Sequence, residues 1–176
     1  MNTTKARNGA EAARGLAILR IVVGLWFAKA LWTKMSLLGL GFLPGASARW
    51  IETMPKIIGR QMAENPIAWY RGFVEGTVLP HATLFAHLTA WGETLAGLGL
   101  VLGLFNGVSA TVALLLTVNY GLATWHMSPA SQGFHYTLAA VMIALLVGRA
   151  GRTWGLDAWL ADRKGGGSWG AKRPWS

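Results

Sequence analysis

Three cations and one carboxylate lie in stretches of this sequence that are otherwise strongly apolar. Arg20, Lys29 and Lys34 fall within LRIVVGLWFAKALWTKM, residues 19–35, and Glu93 lies in TLFAHLTAWGETLAGLGLVLGLF, residues 83–105. An ionised side chain in the middle of a bilayer costs at least about 2.5 kcal/mol, so it must face protein, water or an opposite charge. A carboxylate can exchange protons, and a cation beside it can hold an anion or a carbonyl oxygen. These four residues are therefore the first candidates for a site.

Helical geometry divides the three cations between two faces of one helix. At about 100° per residue, Arg20 and Lys34 share a stripe, whereas Lys29 lies on the opposite side. Glu93 falls at a depth between those of Arg20 and Lys29 when each span is counted from its cytoplasmic end. We predict that Glu93 exchanges protons and that Arg20 or Lys34 holds an anionic or carbonyl group. Lys29 is a secondary candidate, which contacts another subunit or extends toward the interface.

A third apolar stretch adds polar side chains at a similar depth. Asn119 is level with Glu93, Tyr120 is adjacent, and His126 lies two turns further along the same stripe. His87 and His135 are secondary candidates as proton carriers, because imidazoles titrate near neutral pH. No ligand spacing indicates a zinc site, and none enforces haem ligation, so we expect neither a metal nor haem.

A purely structural interpretation of the same residues stays open. In it, Arg20 and Glu93 form an ion pair that fixes the register of two helices, and Asn119 donates a hydrogen bond between helices. The functional interpretation is instead a polar pocket in the core of a helical bundle.

The composition predicts the element that must carry these residues, namely the membrane-spanning helix. Hydrophobic residues make up 53% of the 176 and charged residues 13%, about half the charged fraction of soluble domains. We predict an all-α membrane protein, an antiparallel bundle of four transmembrane helices over about 15–40, 82–105, 108–126 and 131–149. The absence of cysteine excludes disulfides and cysteine nucleophiles.

The connection between the first two spans, residues 42–81, is predicted to contain one or two interfacial helices. RWIETMPKIIGRQM places Trp50, Met54 and Met62 near one face and Arg49, Glu52 and Lys56 mostly on the other. NPIAWYRGFVEGTVLPH is the second such element.

Charge at the ends of the chain predicts its orientation. The net charge is +9, and nine of the sixteen Lys and Arg residues lie in residues 1–14 or from Arg149 onward. The positive-inside rule places both termini in the cytoplasm, in an inner membrane, and the excess charge indicates anionic lipid rather than nucleic acid. We therefore predict a cytoplasmic segment at 1–14, a transmembrane domain at 15–163 and a flexible cytoplasmic tail at 164–176.

Several of these residues also match the pattern of a known family. The first helix has Arg20, Gly24 and Lys34; residues 65–104 resemble the family's approach to a second helix with an acidic residue, here Glu93; and GRAGRTWGLDAWL, from Gly148, is similar to its G-x-G-R ending followed by Leu-Asp. The chain resembles the DoxX/DoxD family of small four-helix membrane proteins over nearly its whole length. It departs from the family early in the fourth helix, where FHYTLAAVM has His135 and no acidic residue.

The resemblance implies a membrane subunit of a quinone-linked redox system, such as a thiosulfate:quinone oxidoreductase. Quinone is then a substrate, bound by Arg20, Lys34, Asn119, Tyr120 and His126, and electrons come from a redox partner subunit. A homo-oligomer is a further expected association. Two alternatives remain: a non-catalytic scaffold subunit of a respiratory or oxidative-stress complex, and a small transporter.

Overall fold

The computed structural model describes residues 3–38, 40–41 and 43–163, and these are almost entirely helical. In chain order they form α1 (Thr3–Ala28), α2 (Ala30–Thr33), β1 (Met35–Ser36), β2 (Gly45–Ala46), α3 (Ala48–Ala63), α4 (Ala68–Phe73), a π-helical turn (Val74–Val78), α5 (Ala82–Leu102), α6 (Asn106–Ala123), α7 (Pro129–Val147), a 3₁₀ turn (Ala150–Arg152) and α8 (Leu156–Arg163).

Three of the described helical stretches are long and apolar enough to cross a membrane: Arg7–Thr33, Asn106–Ala123 and Pro129–Val147. Many of their large apolar side chains are exposed, among them Val22 at 58% and Val147 at 80%. Such exposure suits contact with lipid rather than water. The predicted span at 82–105 corresponds to α5, which has 21 residues. It is not one of the three, because Glu93, His87 and three threonines reduce its apolar character.

The first helix ends earlier than its apolar sequence predicts. Its helical backbone stops at Thr33 rather than near Leu40, and β1 follows two residues later. β1 pairs antiparallel with β2 in the register Met35↔Ala46. Gly41 lies in the loop between them at φ +84°. Glycine adopts this positive-φ backbone conformation readily, because it has no Cβ. This short hairpin is the one element type in the described chain that the all-α prediction omitted.

The amphipathic prediction for the connection holds in α3. Ser47 begins the helix, since its hydroxyl accepts a hydrogen bond from the amide of Trp50. Met54 and Met62 are buried, whereas Arg49 and Lys56 are exposed. The helix therefore has the apolar and charged faces that its sequence indicates.

The described chain forms two compact units. The first comprises the chain through Ala28, Leu95–Ala113 and the chain from Ala140 onward. Within it α1 runs antiparallel to the end of α5: a Cβ on Gly24 would lie 2.7 Å from the amide nitrogen of Val101, and one on Gly97 would lie 2.2 Å from that of Ala28. These glycines permit the backbones to approach closely.

The second unit comprises Lys29–Thr94 and Leu114–Ala139. Two small cores stabilise it. One packs Ala46 and Met54 against Ala86 and Ala90 of α5. The other gathers residues of α3, α4, the π-helical turn and α6 around Tyr70, whose exposed fraction is 3%.

The predicted tail at 164–176 lies outside the described residues. The first predicted segment, 1–14, is helical from Thr3 and continues into the first span.

Candidate functional site

A buried carboxylate with two partners is the centre of the second unit. Glu93 on α5 is 7% exposed. The ammonium of Lys34 lies 2.7 Å from its Oε2 and 2.8 Å from its Oε1. The hydroxyl of Tyr120 on α6 donates a 2.6 Å hydrogen bond to Oε1. Lys34 and Tyr120, both candidates from the sequence, therefore contact the third candidate, Glu93, directly.

The hairpin positions Lys34 for this contact. Lys34 is the residue between α2 and β1, and its amide still bonds to the carbonyl of Ala30. Its own carbonyl accepts a 2.7 Å hydrogen bond from the amide of Ser47, at the end of β2. Both backbone groups of Lys34 are thus fixed, and the side chain extends from a defined point.

Trp50 covers the ammonium of Lys34. Its ring centroid lies 4.2 Å from Nζ, a cation–π distance, and the Tyr120 ring lies 5.6 Å away. The indole Nε1 donates to the hydroxyl of Thr89, 3.2 Å away, which fixes the ring against α5. Sequence reasoning placed Trp50 on one face of an interfacial helix and missed this contact. Its position on the apolar face of α3 was the available signal.

Asn119 and Tyr70 form a second polar contact in the same unit. The hydroxyl of Tyr70 lies 3.1 Å from Oδ1 of Asn119 and 3.2 Å from its backbone oxygen. In this contact Asn119 accepts, whereas the structural interpretation of the sequence has it donate a hydrogen bond between helices. Burial raises the pKa of Tyr70 to about 12, so its phenol stays neutral at physiological pH.

The predicted histidines occupy three different settings. Nδ1 of His87 accepts a 2.9 Å hydrogen bond from the amide of Ala46. Nδ1 of His135 lies 2.7 Å from the carbonyl of Ser131. Nδ1 of His126 is buried without a hydrogen-bond partner among the described residues. Over that same part of the chain, no three His, Asp or Glu side chains cluster as a metal site would require.

Arg20 has a separate set of partners in the first unit. Its side chain is fully buried, and its two terminal nitrogens donate to the carbonyls of Ala150, at 3.2 Å, and Trp154, at 2.9 Å. Of the two cations on the predicted stripe, Lys34 is the one that the structure pairs with Glu93. Lys29, at the break between α1 and α2, is exposed.

Asp157 makes contacts that could not be predicted from the sequence. Its two carboxylate oxygens accept 2.9 Å hydrogen bonds from the amides of Phe105 and Asn106, at the start of α6. It therefore caps that helix from 51 residues away. A Cβ on Gly151 would lie 2.6 Å from Oδ2, so glycine is required there. The G-x-G-R and Leu-Asp pattern was the available signal.

The backbone around Arg20 and Asp157 is strained. All three non-glycine residues with positive φ in the described chain lie here: Phe105 at 47°, Arg149 at 48° and Trp154 at 52°. The backbone of Phe105 bonds to Asp157, and that of Trp154 bonds to Arg20. Arg149 precedes Ala150, whose carbonyl also bonds to Arg20. Such conformations persist where surrounding interactions over-determine them. The buried guanidinium of Arg20 and the partly exposed carboxylate of Asp157 supply those interactions.

The two clusters differ in what they can do chemically. Arg20 and Asp157 bind backbone groups, which is a structural task. Lys34, Glu93 and Tyr120 bind one another through side chains. That set combines a cation, a carboxylate and a phenol, the groups needed to hold a polar oxygen and to move a proton.

Comparison with known proteins identifies the family to which the chain belongs. A family model described as "TQO small subunit DoxD" matches residues 16–172, a range that takes in both clusters. No curated protein and no solved structure matches the chain. The family match confirms the predicted resemblance, and the three apolar helices agree with a protein of the membrane. Because the match extends over nearly its whole length, this membrane protein belongs to the DoxD family.

Proposed function

We propose that this chain is the membrane subunit of a quinone-linked oxidoreductase of the thiosulfate:quinone type, and that Lys34, Glu93 and Tyr120 bind the quinone head group. One observation carries the proposal: the carboxylate of Glu93, a residue only 7% exposed, is held between an ammonium at 2.7 Å and a phenol at 2.6 Å. The family description, which names a TQO small subunit, supports the redox class.

The chemistry of quinone reduction matches these three groups. A quinone takes up two electrons and two protons and becomes a quinol, with one proton on each oxygen. In our proposal Lys34 donates a hydrogen bond to a carbonyl oxygen and stabilises the negative charge that develops on it. Glu93, once protonated from water, delivers one proton to a reduced ring oxygen, and the second proton comes from water. Tyr120 fixes the orientation of the carboxyl group.

The electrons come from a partner subunit in this proposal. Two thiosulfate anions lose one electron each and join through a new sulfur–sulfur bond, which supplies the two electrons that one quinone needs. Exposed Arg49, Lys56 and Arg60 on α3 raise the local concentration of such anions, and Glu52 partly offsets that attraction.

The membrane arrangement that we propose has four antiparallel spans: α1 with α2, α5, α6 and α7. Glu93 makes α5 less apolar than the other three, and its ion pair with Lys34 lowers the cost of placing that helix in the bilayer. Both termini then face the cytoplasm of a bacterial inner membrane. Cysteine residues introduced at Glu11 and at Lys56 and labelled from one side test this orientation.

Glu93→Gln in the purified complex with its partner, reconstituted into nanodiscs with quinone, tests the function. Quinone reduction is expected to fall about 100-fold or more, the usual contribution of a general acid–base group. Turnover is expressed per assembled complex, because loss of the ion pair also lowers stability. Glu64→Gln, at an exposed position after the end of α3, is the matched control.

Two outcomes would overturn the proposal. Full quinone reduction by the Glu93→Gln complex would remove the carboxylate from the chemistry. Loss of the complex, with normal turnover in the fraction that assembles, would instead identify the ion pair as a structural contact in a scaffold subunit.

A further inference from the structure

The hairpin that follows Lys34 is attached to α5 through a histidine. The backbone amide of Ala46 in β2 donates a 2.9 Å hydrogen bond to Nδ1 of His87. The neighbouring Gly45 permits this approach, since a Cβ there would lie 2.9 Å from Nδ1 and 3.0 Å from Cε1. Ala46 is 1% exposed, so water cannot readily replace the imidazole as acceptor.

This hydrogen bond requires one protonation state of the ring. Nδ1 accepts only with a free lone pair, so the proton of the neutral imidazole is on Nε2. Protonation places a hydrogen on Nδ1 as well, and two N–H donors then face each other. This hydrogen bond between the hairpin and α5 therefore exists only with neutral His87.

The hairpin connects this hydrogen bond to Lys34. Ala46 pairs with Met35, the residue after Lys34, and the amide of Ser47 bonds to the carbonyl of Lys34 at 2.7 Å. The side chain of Lys34 in turn reaches Glu93. We infer that His87 is a positioning residue, which acts through β2 to hold Lys34 against Glu93 while its ring is neutral. Its significance for quinone reduction rests on the proposed function, whereas its effect on the hairpin does not.

Other charged groups near this contact do not replace His87. β1 and β2 contribute no titratable side chain. α3 carries Arg49 and Glu52 in its first turns, and both are exposed. Lys34 and Glu93 are paired with each other, and Tyr120 bonds to Glu93. Imidazole side chains in general change protonation between pH 8 and pH 5, so these two pH values are compared.

Hydrogen exchange of the peptide containing Ala46 tests the inference on the full chain in nanodiscs. The comparison is between wild type, His87→Asn and His87→Leu, at pH 8 and at pH 5. Asparagine Oδ1 occupies the position of Nδ1 along the side chain and accepts a hydrogen bond without titrating in this range. Leucine has no acceptor. His81→Asn, at an exposed histidine of the same chain, is the control.

We expect the wild-type protection factor at this amide to fall about tenfold between pH 8 and pH 5, as for loss of one hydrogen bond. His87→Asn should stay protected at both pH values, and His87→Leu at neither. Wild-type protection that is the same at both pH values would overturn the inference, as would a His87→Leu variant as protected as wild type.

The pH profile of quinone reduction separates this inference from the proposed function. Wild-type turnover should decrease on the acid side, and the rescue variant His87→Asn should lack that decrease. If wild type reduces no quinone at any pH, the proposed function fails, and the exchange experiment still decides the role of His87. If His87→Asn retains the full acid decrease, another group causes it and positioning by His87 is wrong.

Discussion

Lys34 and Glu93 are 59 residues apart in the chain, yet the ammonium nitrogen and Oε2 are separated by 2.7 Å. Both side chains are largely shielded, at 18% and 9% exposure. The pair leaves neither charge alone in an apolar environment, which is the condition that the bilayer imposes on ionised groups. It also joins the segment after the first span to α5, so its removal should affect stability as well as activity.

A double-mutant cycle at this pair should show strong coupling. Lys34→Met or Glu93→Gln alone leaves one shielded charge without its partner, and each should reduce the free energy of unfolding by about 3 kcal/mol. The double variant should lose less than the sum, because neither charge remains. Unfolding in mixed detergent micelles measures all three. Additive losses would mean that the two charges do not interact.

Arg20→Lys should be destabilising even though it conserves the charge. The guanidinium donates to the carbonyls of Ala150 and Trp154 from two different nitrogens. A lysine has a single nitrogen and cannot reproduce that fork. We expect a loss of about 2 kcal/mol in the free energy of unfolding, near that of one charged hydrogen bond.

Arg14→Lys, at an exposed position of the same helix, is the control for the previous variant. It should unfold at the wild-type detergent fraction. Equal effects of the two substitutions would show that the fork at Arg20 contributes nothing beyond charge.

Asp157→Asn should weaken the start of α6. One carboxylate oxygen bonds to the amide of Phe105 and the other to that of Asn106. Asparagine keeps one acceptor and places an NH₂ group against the second amide. Removal of a helix cap costs about 0.5–2 kcal/mol, and a loss in this range is expected in the same unfolding assay. Faster hydrogen exchange should be confined to the first turn of α6; wild-type exchange there would contradict the capping role.

Tyr70→Phe should change how stability depends on alkaline pH. Folding raises the pKa of Tyr70 from 10.0 to about 12, so the folded state retains the phenol proton more strongly than the unfolded state. The contribution of the Tyr70 proton to the free energy of unfolding is fully present below pH 10 and is lost as the pH rises from 10 toward about 12. The free energy of unfolding of wild type should therefore fall more steeply than that of Tyr70→Phe across this interval. Parallel curves would contradict the raised pKa.

Helix positions were predictable because they depend on local patterns. Long apolar runs predicted the stretches that became α1, α6 and α7, and alternating apolar and charged residues predicted α3. The end of the first helical stretch at Thr33 was harder to predict. Leu37, Leu38 and Leu40 continue the apolar run, and the hairpin depends on pairing between β1 and β2.

Residue types in an apolar context were also sufficient to select Glu93, Lys34 and Tyr120. They suggested an Arg20–Glu93 ion pair, and they left Arg20 or Lys34 open as the group that holds an anion, because both cations lie on one helical stripe. That choice follows from tertiary packing. Carbonyls near α8 bind Arg20, while the end of the helix at Thr33 and the hairpin direct Lys34 toward α5.

Composition and periodicity thus established a membrane protein with charged groups in its apolar helices. The cost of burying a side chain in the membrane depends on residue type, and the face of a helix on which a residue lies depends on local spacing. The partners of those charges were fixed by contacts between residues far apart in the chain. Such contacts bring Asp157 to the start of α6 and Trp50 over Lys34. A repeating local pattern carries no information about which distant segment will pack against it.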